Sequence, residues 1–133
     1  MPPKKRPRNA SNDYFANLER RLRRIVNAES NSYVLNRNKG PFDKVEIKWS
    51  APMRRLILKN VQTREDQRRR GHLKRLVALL DDLAREKELH AVEIQSIQSP
   101  HVMRMLPWRN FPPPREFGMS STKRYRAPEP LWW

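Results

Sequence analysis

Gln67-Arg-Arg-Arg-Gly-His-Leu-Lys-Arg-Leu-Val-Ala-Leu-Leu-Asp-Asp82 is the most informative segment of this chain, because it leads from a basic turn into a helix signal. Apolar residues three or four apart predict an amphipathic helix from Leu73 to Lys87. The apolar run inside Arg54 to Val61 predicts a central strand just before the turn. A helix N-terminus presents unpaired backbone N–H groups and partial positive charge, and Gly71 allows an anion to approach closely. The segment therefore predicts an anion cradle for a phosphate-bearing cofactor or a nucleic acid.

Composition limits the class of protein. A chain of 133 residues is expected to form one domain, and its net charge of +15 predicts an anionic partner: nucleic acid, a phosphorylated cofactor, an acidic protein or an anionic membrane surface. The absence of cysteine excludes disulfides, thiolate zinc sites and cysteine nucleophiles. The three histidines lack metal-ligand spacing, so no metal site is expected. No long apolar segment or signal peptide is visible, which favours a soluble cytoplasmic protein with no membrane partner.

The composition also divides the chain into three parts. Residues 1–10 combine prolines with cations and predict a disordered basic arm, which would pass as a nuclear localisation signal in a eukaryote. Residues 11–126 carry the element signals of a single domain. Residues 127–133 are interpreted as a tail, whose Trp132 and Trp133 would either fold back on the core or anchor an interface. Small size and high charge would suit a phage protein working in the host cytoplasm.

The N-terminal half predicts one helix and two early strands. A helix is expected from Ser11 or Asn12 to Ala28, with an arginine-rich outer face that is either solvated or a nucleic-acid footprint. Tyr33 to Leu35 predicts a short strand. Apolar and charged residues alternate from Val45 to Trp49, which is typical of a half-buried strand. Short turns between these strands indicate antiparallel pairing.

The C-terminal half predicts a further strand from His90 to Gln98 and a short helix that begins at Ser99 and ends near Pro107. A last hairpin is expected between Arg115–Phe117 and Lys123–Arg126. The long helix between two strands requires a crossover and therefore a parallel pair. The predicted fold class is α/β (α+β): a mixed, mostly antiparallel central sheet with one parallel crossover pair and helices on both faces.

Two motifs in this order resemble the GNAT superfamily of N-acetyltransferases. The family's cofactor motif is Gln/Arg-x-x-Gly-x-Gly/Ala; Arg68 and Gly71 match it, whereas Leu73 replaces the small residue. A second landmark, Asn-x-x-Ala-x-x-x-Tyr-x-x-x-Gly-Phe, can be laid from Ser99 to Phe111 with its spacing intact, and Leu106 then stands at the tyrosine position. The resemblance covers roughly residues 43 to 111 and implies the GNAT-like acyl-CoA N-acyltransferase fold.

The resemblance also implies a cofactor site for acetyl-CoA. Backbone amides from Arg69 to Leu73, which include those of Gly71 and His72, would hold the pyrophosphate. The edge of Asn60-Val61-Gln62 would pair with the pantetheine arm, and Ser99 would stand near it. Cations available to the phosphates are Arg68, Arg70, Lys74 and Arg75. A solvated basic loop is the alternative interpretation of the arginines.

Catalytic residues are less clearly marked than the cofactor site. Direct acetyl transfer to an amine needs a base and often an acid. Glu46 and Glu93 are the candidate bases, and Tyr125 is the candidate acid because Leu106 cannot donate a proton. An ordinary strand residue is the alternative interpretation of each of the three, and it is the favoured one.

Three functions follow from these observations. The first is an acetyl-CoA-dependent N-acetyltransferase acting on an amine of a protein or small molecule; the charge favours an acidic macromolecular acceptor. The second is a catalytically degenerate GNAT-like protein that binds and modulates an acidic protein partner. The third is a basic protein that binds nucleic acid without sequence specificity. A monomer and a homodimer are both compatible with the sequence.

Overall fold

The computed structural model describes residues 10–95, 97, 99–114 and 119–125. The predicted tail (127–133), residues 1–9 of the predicted arm and the first strand of the predicted hairpin lie outside the described residues. The helices are α1 (Ala10–Ile25), α2 (His72–Glu86) and α3 (Pro100–Met105), with short 3-10 turns at Glu65–Gln67 and Leu106–Arg109. The strands are β1 (Ser32–Lys39), β2 (Phe42–Ser50), β3 (Arg55–Thr63), β4 (Ala91–Ile94) and β5 (Ser121–Arg124).

The five strands form one mixed sheet in the order β1-β2-β3-β4-β5. Neighbouring strands are antiparallel except β3 and β4, which run parallel and are connected by α2. A parallel pair needs a crossover connection, and the amphipathic segment after β3 provides it. The predicted fold class, a mostly antiparallel sheet with one parallel crossover pair, is confirmed.

Several element boundaries differ from the prediction. β1 is longer than the predicted range of Tyr33 to Leu35, because it pairs with β2 along nearly its whole length. Its added residues Asn36, Arg37 and Asn38 have little strand propensity of their own. α1 ends at Ile25 instead of Ala28. β4 is four residues long and ends at Ile94, well short of Gln98. β5 pairs with β4. Tertiary pairing decided each of the strand lengths, so local pattern alone was insufficient.

The core lies between the sheet and its helices. α1 contributes Leu18 and Leu22, and α2 contributes Leu76 and Leu80, all of them fully or almost fully buried. The sheet side consists of the apolar residues that alternate along β2 and β3, which include Val45, Ile47, Trp49, Leu56 and Leu58. Burying these side chains stabilises the fold by about 1.5–3 kcal/mol each. No described helix is long and apolar enough to cross a membrane.

A β-bulge interrupts the pairing of β2 and β3. Glu46 lies opposite Asn60, whereas the next residue, Ile47, lies opposite Leu58. Lys59 therefore has no counterpart on β2. A bulge bends its strand and redirects the extra side chain, and this one occurs next to the last paired residue of β3 and β4.

Candidate functional site

A cleft opens where the two parallel strands separate. Their register ends at the pair Leu58 and Ile94, and the backbone N–H of Gln95 makes a last bond to the Leu58 carbonyl at 3.0 Å. β3 continues for residues 59–63, so that its backbone edge there is not paired with β4. The gap holds an inner cavity of about 290 Å³. Its lining combines Leu58, Val61, Leu73, Val77, Ile94, Ile97 and Val102 with the polar Lys59, Asn60, Gln62, Gln95 and Ser99.

An outer cavity of about 1110 Å³ continues the cleft toward the start of α2. The two cavities share Val61, Gln62, Leu73 and Ser99. The other residues that line the outer cavity are Asp43, Thr63, Gln67, Arg68, Arg69, Gly71, His72, Lys74, His101 and Arg104. Arginine and lysine outnumber the single carboxylate in this lining. The cleft is therefore mainly apolar at its inner end, where Lys59 is the single charged residue of the lining, and cationic at its outer end, which suits an anionic ligand with a long uncharged arm.

The turn before α2 is shaped for close approach of an anion. Arg69 and Gly71 both have left-handed backbone conformations, with φ of 63° and 78°. Gly71 is the N-cap of α2; no side chain caps this end, and the first turn carries no acidic residue. A Cβ built on Gly71 would meet nothing within 4 Å. The start of α2 therefore has N–H groups without a side-chain cap, and the space beside Gly71 is open.

The structure brings nearly all of the predicted cofactor-binding residues to this cleft. Asn60, Val61, Gln62, Arg68, Arg69, Gly71, His72, Leu73, Lys74 and Ser99 line its two cavities. Arg70 does not, and Arg75 stacks on the Phe15 ring at 4.5 Å and bonds Asn12. Leu73, the residue that departs from the family motif, packs against the core at the junction of the cavities, so its side chain forms apolar wall.

His72 contributes to the cleft as a neutral side chain. Burial lowers the pKa of His72, and the nearby charges of Arg70 and Arg75 lower it further. One ring nitrogen is 3.2 Å from the Gln67 side-chain oxygen, and the ring stacks near Phe15. The contact between the His72 ring and Phe15 of α1 holds the first turn of α2 against the core.

The three catalytic candidates lie outside the cavity linings. Glu93 is ion-paired with Arg55 at 2.8 Å and accepts a bond of 2.7 Å from Gln95. Glu46 lies opposite Asn60 in the β2–β3 register and is 3.8 Å from the Lys44 amine. Glu46 and Glu93 are therefore both neighbours of inner-cavity residues, Glu46 of Asn60 and Glu93 of Gln95.

Tyr125 belongs to a buried ion cluster. Its hydroxyl donates a bond of 2.6 Å to Asp81, a fully buried carboxylate of α2. Lys123, Arg85 and Arg109 also bond Asp81, at 2.8, 2.8 and 3.2 Å. Burial raises the pKa of the Tyr125 hydroxyl, and its bond to Asp81 raises it further. This hydroxyl holds its proton toward Asp81, and the cluster joins α2 to β5 and to the turn after α3.

The titratable residues of the cleft that the sequence reasoning missed are Asp43, Lys59, His101 and Arg104. The last two lie three apart and share a face of α3, a signal available once Pro100 is taken as the helix start. Lys59 could not be recognised because a bulge depends on the partner strand. Among the described residues no group of histidines and carboxylates could hold a metal ion.

Comparison with known proteins supports the fold. No protein-family model matches the chain, and no curated protein matches its sequence. Among solved structures, nourseothricin acetyltransferase is similar, with a TM-score of 0.50 and 13% identity. The match covers 71% of this chain and 65% of the length of that protein. A putative acetyltransferase from Agrobacterium tumefaciens has a TM-score of 0.52 and 17% identity, covering 88% of this chain and 90% of its own. This chain therefore shares its fold with these acetyltransferases, in agreement with the fold that the motifs implied.

Proposed function

We propose that the chain is an acetyl-CoA-dependent N-acetyltransferase that transfers acetyl directly to an amine of a protein or small molecule. The observation that carries this proposal is the continuity of the cleft, which leads from the capless start of α2 to an apolar gap between the parallel strands. A nucleotide phosphate suits the outer end and an uncharged acyl-carrying arm suits the inner end. Binding of nucleic acid depends mainly on contacts with its phosphates, so it would not explain the apolar inner end.

The residues of the cleft fit the parts of such a cofactor. Backbone amides of Arg69 to Leu73 would hold the pyrophosphate, since α2 begins at Gly71 without a side-chain cap and the space beside Gly71 is open. Arg68, Lys74 and Arg104 line the same cavity and would make charge-assisted contacts to phosphates. The backbone of residues 60–62, which is not paired with β4, would bond the amides of the pantetheine arm, with Ser99 on the other side. The cofactor supplies the activated acetyl group; the chain binds and orients it.

The acceptor amine must lose a proton, and we assign that step to Glu46 acting through water. Glu46 lies opposite Asn60, a residue of the inner cavity, and its ion pair with Lys44 is long, at 3.8 Å, whereas Glu93 is held by Arg55 at 2.8 Å and by Gln95. Glu46→Gln is expected to slow acetyl transfer by about 10²–10⁴-fold, with acetyl-CoA affinity unchanged. The measurement is thiol release in the presence of a panel of amines, with the exposed Glu65→Gln as control. Equal rates for the two variants would remove Glu46 from the mechanism.

A second function, binding without turnover, is favoured by one observation. In the part of the chain that the structure describes, Asp43 is the only carboxylate that lines the cleft, and Leu106 is buried in the core. A protein of this kind would present the same cleft and a surface of net charge +15 to an acidic partner. It would bind acetyl-CoA and release no thiol with any amine.

Calorimetric titration with acetyl-CoA tests the proposed function. The titration is made at moderate salt, which screens nonspecific attraction between the basic surface and a polyanion. ATP and dephospho-CoA are the control ligands. We expect an affinity on the order of micromolar for acetyl-CoA and clearly weaker binding of ATP, because ATP cannot fill the apolar end. Equal binding of all three ligands, or no binding, would contradict the proposal.

A further inference from the structure

Lys59 occupies an unusual position at the inner end of the cleft. It is the bulged residue of β3, without a counterpart on β2, and it directly follows Leu58, the last residue that pairs with β4. Its side chain is half-buried and lines the inner cavity. This bulge and the separation of the parallel strands therefore meet at one lysine.

The Lys59 amine is also the strongest nucleophile of the inner cavity. The other polar residues of that lining carry a hydroxyl (Ser99) or carboxamides (Asn60, Gln62 and Gln95). Lys59 forms no salt bridge with any residue that the structure describes, in contrast to Lys44 and Lys123, which are ion-paired. No described carboxylate therefore holds the Lys59 side chain away from a bound ligand.

We propose that Lys59 is an internal acetyl acceptor, so that the chain acetylates itself. This inference rests on the proposed function, because the donor is acetyl-CoA bound in the cleft. After the Lys59 ammonium loses a proton to water, its nitrogen attacks the thioester carbonyl. The new C–N bond forms as the C–S bond breaks; the amine's second proton leaves and the CoA thiolate takes one up. The products are N-acetyl-Lys59 and CoA.

Placement gives this lysine an advantage over every surface lysine. An amine held beside a bound thioester reacts at an effective concentration far above that of free acetyl-CoA in solution. Acetylation also removes the positive charge and leaves a larger uncharged side chain in a cavity of about 290 Å³. The modified chain would therefore hold a second acetyl-CoA less well, so that self-acetylation would slow the transfer of acetyl to other amines.

The test is incubation of the full chain with acetyl-CoA, followed by intact mass and peptide mapping. Lys59 is expected to acquire acetyl at least about tenfold faster than Lys39, an exposed reference lysine. The rate should not depend on protein concentration, because donor and acceptor share one molecule. Lys59→Arg keeps the charge and should remove the fast phase while background acetylation continues.

Two outcomes separate this inference from the proposed function. If acetyl-CoA binds by calorimetry but Lys59 reacts no faster than Lys39, or if the Lys59→Arg chain retains the fast phase, the self-acetylation proposal is wrong and the proposed function is untouched. If acetyl-CoA does not bind, the proposed function fails and the inference fails with it. Fast acetylation of Lys59 whose rate rises with protein concentration would also overturn it, since the reaction would then occur between molecules.

Discussion

Asp81→Ala is expected to lower the free energy of unfolding by about 3–5 kcal/mol, the largest effect on stability that we expect from a single substitution. The Asp81 carboxylate is fully buried and accepts bonds from Lys123, Tyr125, Arg85 and Arg109. Removing it leaves the Lys123 ammonium, whose side chain is 13% exposed, without its counter-charge. The loss also uncouples α2 from β5 and from the turn after α3. Urea unfolding monitored by circular dichroism measures the change.

The neighbouring Asp82 provides the matched control. Its side chain is 62% exposed and contacts Arg109 at 2.7 Å. An exposed ion pair contributes at most about 1 kcal/mol, so Asp82→Ala should be mild. Similar losses for the two alanine variants would show that burial of Asp81 does not carry the effect.

Lowering the pH should remove the stabilisation that the ion cluster around Asp81 provides. Burial alone would raise the pKa of Asp81, but the bonds from Lys123 and Tyr125 and the charges of Lys123 and Arg85 outweigh it, and the pKa is lowered. Because the folded pKa lies below the unfolded value of about 3.9, the stabilisation is complete above that value. It is lost as the pH falls through the folded pKa. Unfolding free energies measured below about pH 5 should therefore fall more steeply for the wild type than for Asp81→Asn.

Gly71→Asp is expected to weaken acetyl-CoA binding by at least about 100-fold, or roughly 3 kcal/mol. The new side chain would enter the open space in front of the α2 N-terminus, where a Cβ meets no atom within 4 Å. Its carboxylate would occupy the position of the phosphates and repel them. Calorimetric titration with acetyl-CoA gives the affinity directly.

Gly71→Asn separates charge from size in that experiment. Asparagine and aspartate have nearly the same shape, and both tolerate the left-handed conformation that Gly71 adopts at a φ of 78°. We expect Gly71→Asn to bind about tenfold more weakly than the wild type and about tenfold more tightly than Gly71→Asp. Thermal unfolding should be nearly equal for the two variants. Wild-type affinity in Gly71→Asp would show that the phosphates lie elsewhere.

Much of the fold was predictable from short-range patterns. The stripe of α2 appears in the sequence because helical residues three and four apart share a face, and its predicted range, Leu73 to Lys87, is shifted by one residue from the observed His72–Glu86. The crossover and its parallel pair follow from the order of the elements. Most of the residues predicted to bind a cofactor lie on the strand before the basic turn and on the turn itself, and all of the predicted set except Arg70 and Arg75 line one cleft in the structure.

The sequence by itself determined the order of helices and strands, the basic turn at Gly71 and the excess of positive charge, because each of these depends on neighbours along the chain. Only the tertiary structure decided the length of β1, the bulge at Lys59 and the burial of Asp81. These depend on residues distant in sequence. Pairing with β2 sets the length of β1, and the register between β2 and β3 produces the bulge. The segment of β5 brings Lys123 and Tyr125 into contact with Asp81 of α2. The sequence alone suggests that a carboxylate on a helix is exposed. Only the tertiary structure shows the cations that accompany Asp81 into the core.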